Sequence, residues 1–215
     1  MYFKNLPMEF IRKLYVKKLE REVFAGAIPS HIMVVADADE FRRGFDAFRN
    51  FTRWCNILGV KMLTICLHVN DGDEVRHMCM KIPGRLRIIS PNGEENSEDG
   101  DELDELGGLD LNVNVILGYG GRAELLDTVR KIAAKIREGG LRADNVDAKT
   151  LESFLKIKEP PDLIIRAGEE IPDFMIWQSI YSELYFTDIR WESFRYVDFL
   201  RCIREYQRRE RRYGK

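Results

Sequence analysis

A short apolar run, Leu163 to Ile165, stands directly behind Pro160 and Pro161 and ends at Arg166. Proline stops a helix, and an uninterrupted aliphatic run is typical of a strand that is covered on both faces of a parallel sheet. The carboxyl ends of parallel strands form the edge at which open α/β sheets bind ligands. The run therefore predicts a parallel sheet with Arg166 at its carboxyl edge. There Arg166 either contacts a ligand or is a surface arginine that caps the turn after the strand.

Further strands alternate with helices along the chain. Apolar runs predict strands at 31–36, 61–68, 85–90 and 111–117, and helical spacing predicts helices at 7–24, 45–58, 124–138 and 147–154. Such alternation favours an α/β fold in which a mostly parallel central sheet is flanked by helices. We expect a single domain over residues 1–215, with an N-terminal helix in 1–26 and an acidic, solvated loop at 93–108.

The composition excludes several classes of protein. Apolar residues make up 45% and charged residues 33% of the 215, and the net charge of -2 gives no reason to expect nucleic acid as a partner. No apolar run is long enough to cross a bilayer, so we expect a cytoplasmic protein whose contact with a membrane, if any, is peripheral. The four cysteines lack metal-binding spacing and are predicted to be reduced core thiols: Cys55, Cys66, Cys79 and Cys202.

The N-terminal helix allows two interpretations. Arg12 and Lys13 lie among apolar residues such as Phe10, Ile11 and Tyr15. This mixture is typical of a membrane-surface helix, but also of a helix that packs on the domain with a solvated basic face. We favour the packed helix.

The stretch 174–188 is predicted as one aromatic-rich helix. Its apolar positions are too many for a single buried stripe, so we expect the helix to pack both on its own domain and on a partner chain. The expected interface residues are Trp177, Tyr181, Leu184, Tyr185 and Phe186.

Three stretches resemble the cis-prenyltransferases, the undecaprenyl diphosphate synthase family. They are LEREVFAGAIPSHIMVVAD at 19–37, GYGGRAEL at 118–125, and a C-terminal part that contains DLIIRAGEE, FMIWQSIYSELYFTD and FLRCIREYQRRERRYG. The resemblance implies the fold of that family, a dimer, and a Mg²⁺-assisted condensation of an allylic diphosphate with isopentenyl diphosphate.

The resemblance also implies a metal site. Asp37 matches the aspartate that holds a metal and the allylic diphosphate, although it is also well placed to cap the following helix. Glu183 matches a glutamate that reaches a metal, often in the site of a partner across the dimer interface.

Further matching residues imply diphosphate contacts. Arg166 and Gly168 match the isopentenyl diphosphate site. Arg212 and Gly214 match a terminal Arg-x-Gly that two-subunit members contribute to the partner's active site, and the alternative for this tail is a solvated helix end. Arg122 matches a motif that we interpret as structural. His68 is interpreted as structural in preference to a general base.

The chain departs from the family's pattern at the allylic site. After Asp37 the family has a Gly-Asn phosphate loop, whereas this chain has Ala38, Asp39 and Glu40 and enters its helix at Gly44. Two additional carboxylates would repel a diphosphate.

Two other departures concern the tunnel and the second phosphate grip. Between Asp73 and Arg85 the chain is too short for the helices that wall the family's prenyl tunnel. Residues 171–173 replace an arginine and a serine that would hold isopentenyl diphosphate.

These matches and departures lead to three hypotheses. The first is a non-catalytic or weakly catalytic subunit that pairs with a catalytic cis-prenyltransferase homologue, like the Nogo-B receptor type of accessory subunit. The second is a self-sufficient cis-prenyl diphosphate synthase with a short product. The third is a homodimeric protein that binds another phosphorylated ligand.

Overall fold

The structure is a computed structural model that describes residues 8–69, 73–91, 93–97, 110–167 and 173–209. Its strands are β1 (His31–Asp37), β2 (Met62–His68), β3 (Arg85–Ser90), β4 (Gly93–Ser97), β5 (Asn112–Leu117), β6 (Leu163–Ala167) and β7 (Glu183–Thr187). They form one sheet in the order β4-β3-β5-β2-β1-β6-β7. All neighbouring strands are parallel except β3 and β4. The predicted α/β domain with a mostly parallel sheet is confirmed.

α-Helices connect β1 to β2, β2 to β3 and β5 to β6, and two more lie before β1 and after β7. They are α1 (Met8–Phe24), α2 (Ala38–Arg43), α3 (Phe45–Ile57), α4 (Asp73–Cys79), α5 (Gly121–Arg137), α6 (Ala148–Phe154) and α7 (Tyr196–Arg208). The short helices α2 and α4 were not predicted, whereas α1, α3, α5 and α6 agree with the helical spacing of the sequence. Among the described residues no helix is long and apolar enough to span a membrane.

Both faces of the sheet are buried. Ile32 and Val34 of β1 face a large core that includes α1, α3 and α7, while Met33 and Val35 face a smaller core that includes Phe174. Since side chains alternate along a strand, two buried faces require the uninterrupted apolar runs seen in the sequence.

The four cysteines are buried free thiols, as predicted. Burial raises the pKa of Cys79 to about 12. A thiol with so high a pKa is protonated at neutral pH and is a poor nucleophile or metal ligand.

Aromatic packing fixes α2 directly behind β1. Phe41 is fully buried, and its ring centroid lies 5.1 Å from that of Phe48, which lies 4.5 Å from Trp191. Gly44 follows α2, where an added Cβ would lie 2.9 Å from the Cβ of Trp191. The chain therefore turns from β1 straight into a short, well-anchored helix.

The prediction of one helix at 174–188 is wrong. Gln178–Tyr181 form a single 3-10 turn, and Glu183–Thr187 form β7, which pairs with β6 at the edge of the sheet. The predicted interface residues are therefore distributed over a loop (Trp177), the turn (Tyr181) and the strand (Leu184, Tyr185 and Phe186). Aromatic residues favour strands, and an edge strand explains more apolar positions than one helical stripe can bury.

The prediction of an acidic loop at 93–108 is wrong for its first part. Residues 93–97 form β4, which pairs antiparallel with β3, and Arg87 donates a hydrogen bond to Glu94 at 2.8 Å. The remainder, 98–108, lies outside the described residues.

Candidate active site

The carboxyl ends of β1, β2 and β6 place three polar residues at one edge of the sheet. Asp37 and His68 are register partners on neighbouring strands, and Arg166 pairs with Val35, two residues before Asp37. Two of the residues that the sequence singled out, Asp37 and Arg166, are thus brought together from distant parts of the chain. Gly168 lies outside the described residues.

Asp37 is the N-cap of α2. Its Oδ1 accepts a hydrogen bond from the backbone N–H of Glu40 at 2.7 Å, and Glu40 Oε2 accepts one from the N–H of Asp37 at 2.9 Å. This reciprocal pair is a capping box, which satisfies two N–H groups that a helix start would otherwise leave without partners. Asp37 therefore has the capping role that the sequence allowed, and its role with a metal or a substrate stays a prediction.

Arg166 is paired with a carboxylate of its own chain. Its Nη1 donates to the carbonyl oxygen of Val35 at 3.2 Å and to Glu40 Oε2 at 3.5 Å. The two charged side chains are 14% and 21% exposed. Glu40 thus pairs with the guanidinium group, and the predicted role of Arg166 with a diphosphate stays a prediction.

The basic residues of α2 are also engaged. Arg42 donates to Asp39 at 2.8 Å and to Glu74 at 3.0 Å. Arg43 donates to Glu192, and this hydrogen bond raises the pKa of Arg43 above its ordinary value. Among the described residues at this edge, Arg42, Arg43 and Arg166 are therefore each paired with a carboxylate.

Four side chains from elements next to Asp37 are buried in one apolar core. Ala36, Phe41, Leu67 and Val75 are fully buried and belong to the same apolar core. They come from β1, α2, β2 and α4, so α2 and α4 close this side of the sheet. Packing of this kind leaves no room among these four side chains for a prenyl chain.

His68 lies at the exposed end of β2. Its ring centroid is 4.5 Å from that of Phe174. The two ring planes are tilted by 50° to each other. This packing contact agrees with the structural interpretation, although the exposed position differs from the buried one that such histidines usually take.

The described residues around Asp37 do not by themselves form a Mg²⁺ site. One oxygen of Asp37 caps a helix and Glu40 is bound to Arg166, and no group of three or more His, Cys, Asp or Glu among the described residues could hold a metal ion. Mg²⁺ demands near-octahedral oxygen ligation, which one exposed carboxylate does not provide.

Glu183 lies at the opposite end of the sheet from Asp37. It pairs with Leu163, which pairs with Ile32, five residues before Asp37. At the rise of a strand this is about 16 Å along the strand axis, in addition to the width of two strands. Asp37 and Glu183 of one chain therefore cannot share an ion.

The end of α7 is attached near Glu183. Arg209 Nη1 donates to Glu183 Oε2 at 3.3 Å and to the carbonyl oxygen of Leu184 at 2.7 Å. Arg212 and Gly214 lie outside the described residues. Their role at a partner's site stays a prediction.

The GYGG motif has a structural role, as expected. The N–H of Gly121 donates to the carbonyl oxygen of Asp173 at 2.9 Å, and a Cβ on Gly121 would lie 2.7 Å from Cγ1 of Ile176. Arg122 is exposed, with its Nε 3.9 Å from Asp173. The glycines therefore allow the loop that precedes residues 178–181 to pack closely on α5.

The sequence analysis missed a buried polar network beneath this loop. Glu124 is buried, and its two oxygens accept from the N–H of Lys156 at 3.0 Å and from Gln178 Nε2 at 3.2 Å. Gln178 Nε2 also donates to the carbonyl oxygen of Ile157 at 2.7 Å. No local pattern reveals it, because Glu124 is 32 positions from Lys156 and 54 positions from Gln178.

The network supports an exposed apolar surface, the β7 surface. It comprises the exposed residues of the loop, the turn and the edge strand: Ile176, Trp177, Ile180, Tyr181 and Phe186. Ile180 is 74% exposed. Large exposed aromatic and aliphatic side chains next to a sheet edge are typical of a protein interface.

The sequence matches a known family over most of its length. The model of the prenyltransferase family described as "Putative undecaprenyl diphosphate synthase" matches residues 66–214. The chain belongs to this family. The matched part of this prenyltransferase includes β6, the β7 surface and the C-terminal tail, whereas β1 and α2, with Asp37, precede it.

Relatives align with 94–100% of the chain. A tritrans,polycis-undecaprenyl-diphosphate synthase (geranylgeranyl-diphosphate specific) of Methanocaldococcus jannaschii is 30% identical over 260 residues, covering 100% of this chain and 92% of that protein. A (2Z,6E)-farnesyl diphosphate synthase of Mycolicibacterium smegmatis is 29% identical, with 94% and 95% covered. The first alignment runs over 260 positions against 215 residues here, so that relative carries segments that this prenyltransferase lacks.

Solved structures agree on the fold. Lavandulyl diphosphate synthase from Lavandula x intermedia superimposes with a TM-score of 0.68 at 23% identity, covering 87% of this chain and 99% of that one. A probable undecaprenyl diphosphate synthase from Campylobacter jejuni gives 0.64 at 21% identity, with 88% and 100% covered. At these identities the likeness shows the fold alone.

Proposed function

We propose that this chain acts in cis-prenyl diphosphate synthesis, the condensation of an allylic diphosphate with isopentenyl diphosphate. The observation that carries the proposal is the meeting of Asp37 and Arg166 at one sheet edge in a chain of this family. A carboxylate and a guanidinium at the carboxyl ends of neighbouring strands suit a reaction in which diphosphate departs and negative charge develops.

The relatives favour a self-sufficient synthase over an accessory subunit. The two relatives described above are named as cis-prenyl diphosphate synthases, and each aligns with at least 94% of this chain. On this hypothesis Glu40 must leave Arg166 when the substrate binds, since both anions need the same guanidinium face. The chain would then use its carboxylate and its arginine directly.

Two observations favour the subunit hypothesis as a second candidate. Glu40 neutralises Arg166 while it closes the capping box with Asp37, so the two groups are satisfied by each other rather than by a ligand. Arg209 lies at the end of the sheet opposite Asp37, three residues before Arg212, and three residues extend the chain by only about 10 Å. This attachment suits a tail that serves the site of another chain.

The β7 surface is the proposed contact in either case. A second copy would produce a homodimer, and a catalytic homologue would produce a heterodimer. The third hypothesis, a binding protein for another phosphorylated ligand around Arg166, gains no support from a guanidinium that is already paired with Glu40.

The decisive experiment is prenyl transfer by the purified full-length chain. The chain is incubated with Mg²⁺, geranylgeranyl diphosphate and labelled isopentenyl diphosphate, alone and with a catalytic homologue. Product from the chain alone supports the self-sufficient synthase, and product that rises only in the mixture supports the subunit. No product and no stimulation would contradict both.

Two variants connect the result to this site. Asp37→Ser keeps an oxygen that can cap α2 but removes the carboxylate, so it separates chemistry from folding. We expect it to abolish transfer if the chain is the catalyst and to leave stimulation of the homologue unchanged if it is a subunit. Asp110→Ser changes an exposed aspartate elsewhere on the chain and is the control.

A further inference from the structure

Helix α1 has apolar residues on two opposite sides. Leu19 and Val23 are buried against the domain, and the helix is held there by hydrogen bonds from Tyr196 to Glu20 at 2.8 Å and from Gln207 to the carbonyl oxygen of Val23 at 2.8 Å. This confirms that the second half of α1 packs on the domain.

The first half of α1 presents its apolar residues to solvent. Phe10, Ile11 and Leu14 are each about half exposed. At 100° per residue, Phe10 and Leu14 lie about 140–180° around the helix from Leu19 and Val23, so they face away from the domain. Exposure of three large apolar side chains on one helix face is costly unless they have a partner.

Basic residues share this outward face. Lys17 and Arg21 lie within about 20° of Phe10, and Lys18 lies between Leu14 and Ile11 in angle. A groove of about 520 Å³ runs beside them. Its lining contains the apolar Phe10, Leu14 and Val16, the basic Arg12, Lys13 and Lys17, and the acidic Glu9 and Glu20. Lys18 is paired with Glu22 at 3.8 Å and Lys13 with Glu9 at 3.1 Å. The outward face thus combines apolar side chains with more basic than acidic residues.

We propose that this face of α1 docks on a membrane surface that contains anionic phospholipid. Apolar side chains of an interfacial helix enter the boundary between headgroups and acyl chains, and lysines and arginines contact the phosphates. The helix would lie parallel to the membrane plane, with Leu19 and Val23 still attached to the domain. The proposal rests on α1 alone and is independent of prenyl transfer.

A second copy of the chain fits this face less well than a lipid surface does. A two-fold contact uses the same surface of both copies, so Lys17, Lys18 and Arg21 of both chains would lie within one interface. Like charges at an interface oppose association, whereas an anionic surface attracts them.

The test is flotation of the full-length chain with lipid vesicles. We expect the chain to float with vesicles of equal parts phosphatidylglycerol and phosphatidylcholine, and to remain unbound with phosphatidylcholine alone. High salt should weaken binding because exposed charges are screened. Failure to float with the anionic vesicles would overturn the proposal.

Matched variants locate the contact. Phe10→Ser with Leu14→Ser should weaken vesicle binding about ten-fold or more, because two apolar side chains no longer enter the lipid. Leu126→Ser with Val129→Ser changes two equally exposed apolar residues of α5 and should bind as the wild type does. Equal loss in both double variants would overturn the proposal.

Charge reversal distinguishes a lipid surface from a second copy of the chain as the partner of this helix face. Lys17→Glu with Lys18→Glu should abolish vesicle binding while the melting temperature is unchanged, since both side chains are exposed. The opposite outcome is a double variant that still binds vesicles but sediments with a different coefficient from the wild type. In that outcome the face binds a second copy and the proposal is wrong.

Discussion

The sheet edge at Asp37 and the β7 surface differ in how their side chains are satisfied. At Asp37 the polar groups are hydrogen-bonded to one another, through the capping box and through the pair of Glu40 with Arg166. At the β7 surface, Ile180 and Tyr181 remain exposed although a buried network holds the loop beneath them.

This difference separates two requirements of a prenyltransferase. A site that binds diphosphate needs cations that no other group neutralises, whereas an association surface needs apolar area held in a fixed shape. The described residues provide an apolar surface of fixed shape more completely than they provide cations without a carboxylate partner. On the proposed function, binding of a diphosphate to Arg166 would require a rearrangement of Glu40, whereas the proposed association through the β7 surface would require none.

The largest expected effect is in the packing that fixes α2. Phe41→Ala should lower the free energy of unfolding by about 3–5 kcal/mol, because the fully buried ring leaves a cavity between α2 and α3. Urea unfolding measures the change. Phe186→Ala at the exposed edge is the control and should cost less than about 1 kcal/mol. Equal losses would mean that the two regions do not differ in packing.

A charge on the β7 surface should disrupt association without unfolding the chain. Ile180→Lys should weaken association with a second copy or a homologue by about ten-fold or more, because an apolar contact is replaced by a buried charge. Sedimentation velocity over a range of concentrations measures it. Val129→Lys, on the exposed side of α5, should have no effect. A loss of association in Val129→Lys alone would place the interface elsewhere.

Removal of the negative charge of Glu40 should improve anion binding by Arg166 at the sheet edge near Asp37. Glu40→Gln keeps an oxygen that accepts from the N–H of Asp37 but removes the charge that faces the guanidinium. We expect inorganic pyrophosphate to bind about ten-fold tighter, at a stability cost of about 1 kcal/mol. Titration calorimetry measures the affinity. Glu74→Gln, an exposed carboxylate on Arg42, is the control, and an equal gain there would indicate a general charge effect.

The smallest expected effect is the pH dependence of stability that His31 causes at the amino end of β1. Burial lowers the pKa of His31 below 6.5, and its Nε2 lies 2.8 Å from Thr64 Oγ1. The unfolded state therefore binds a proton at a higher pH than the folded state, so stability is lost as pH falls through and below 6.5. Urea unfolding on both sides of this pH measures the loss. His31→Asn should flatten the dependence, and an unchanged profile would exclude His31.

Local pattern was sufficient for the buried strands. The runs at 31–36 and 163–165 are continuous because helices or loops cover both faces, and such a requirement is visible in the sequence itself. The capping box could also have been found, since Asp37 and Glu40 have the Asp-x-x-Glu spacing of a helix start. The pair of Glu40 with Arg166 could not, since 126 positions separate its members.

The sequence by itself determined that this chain has a parallel sheet, a buried thiol set and the family's motifs, because apolar periodicity and residue types are local properties. Only the tertiary structure decided that 183–187 is an edge strand and that Glu40 occupies the face of Arg166. Strand pairing and charge pairing depend on which distant segments meet in space, and no local pattern encodes that meeting.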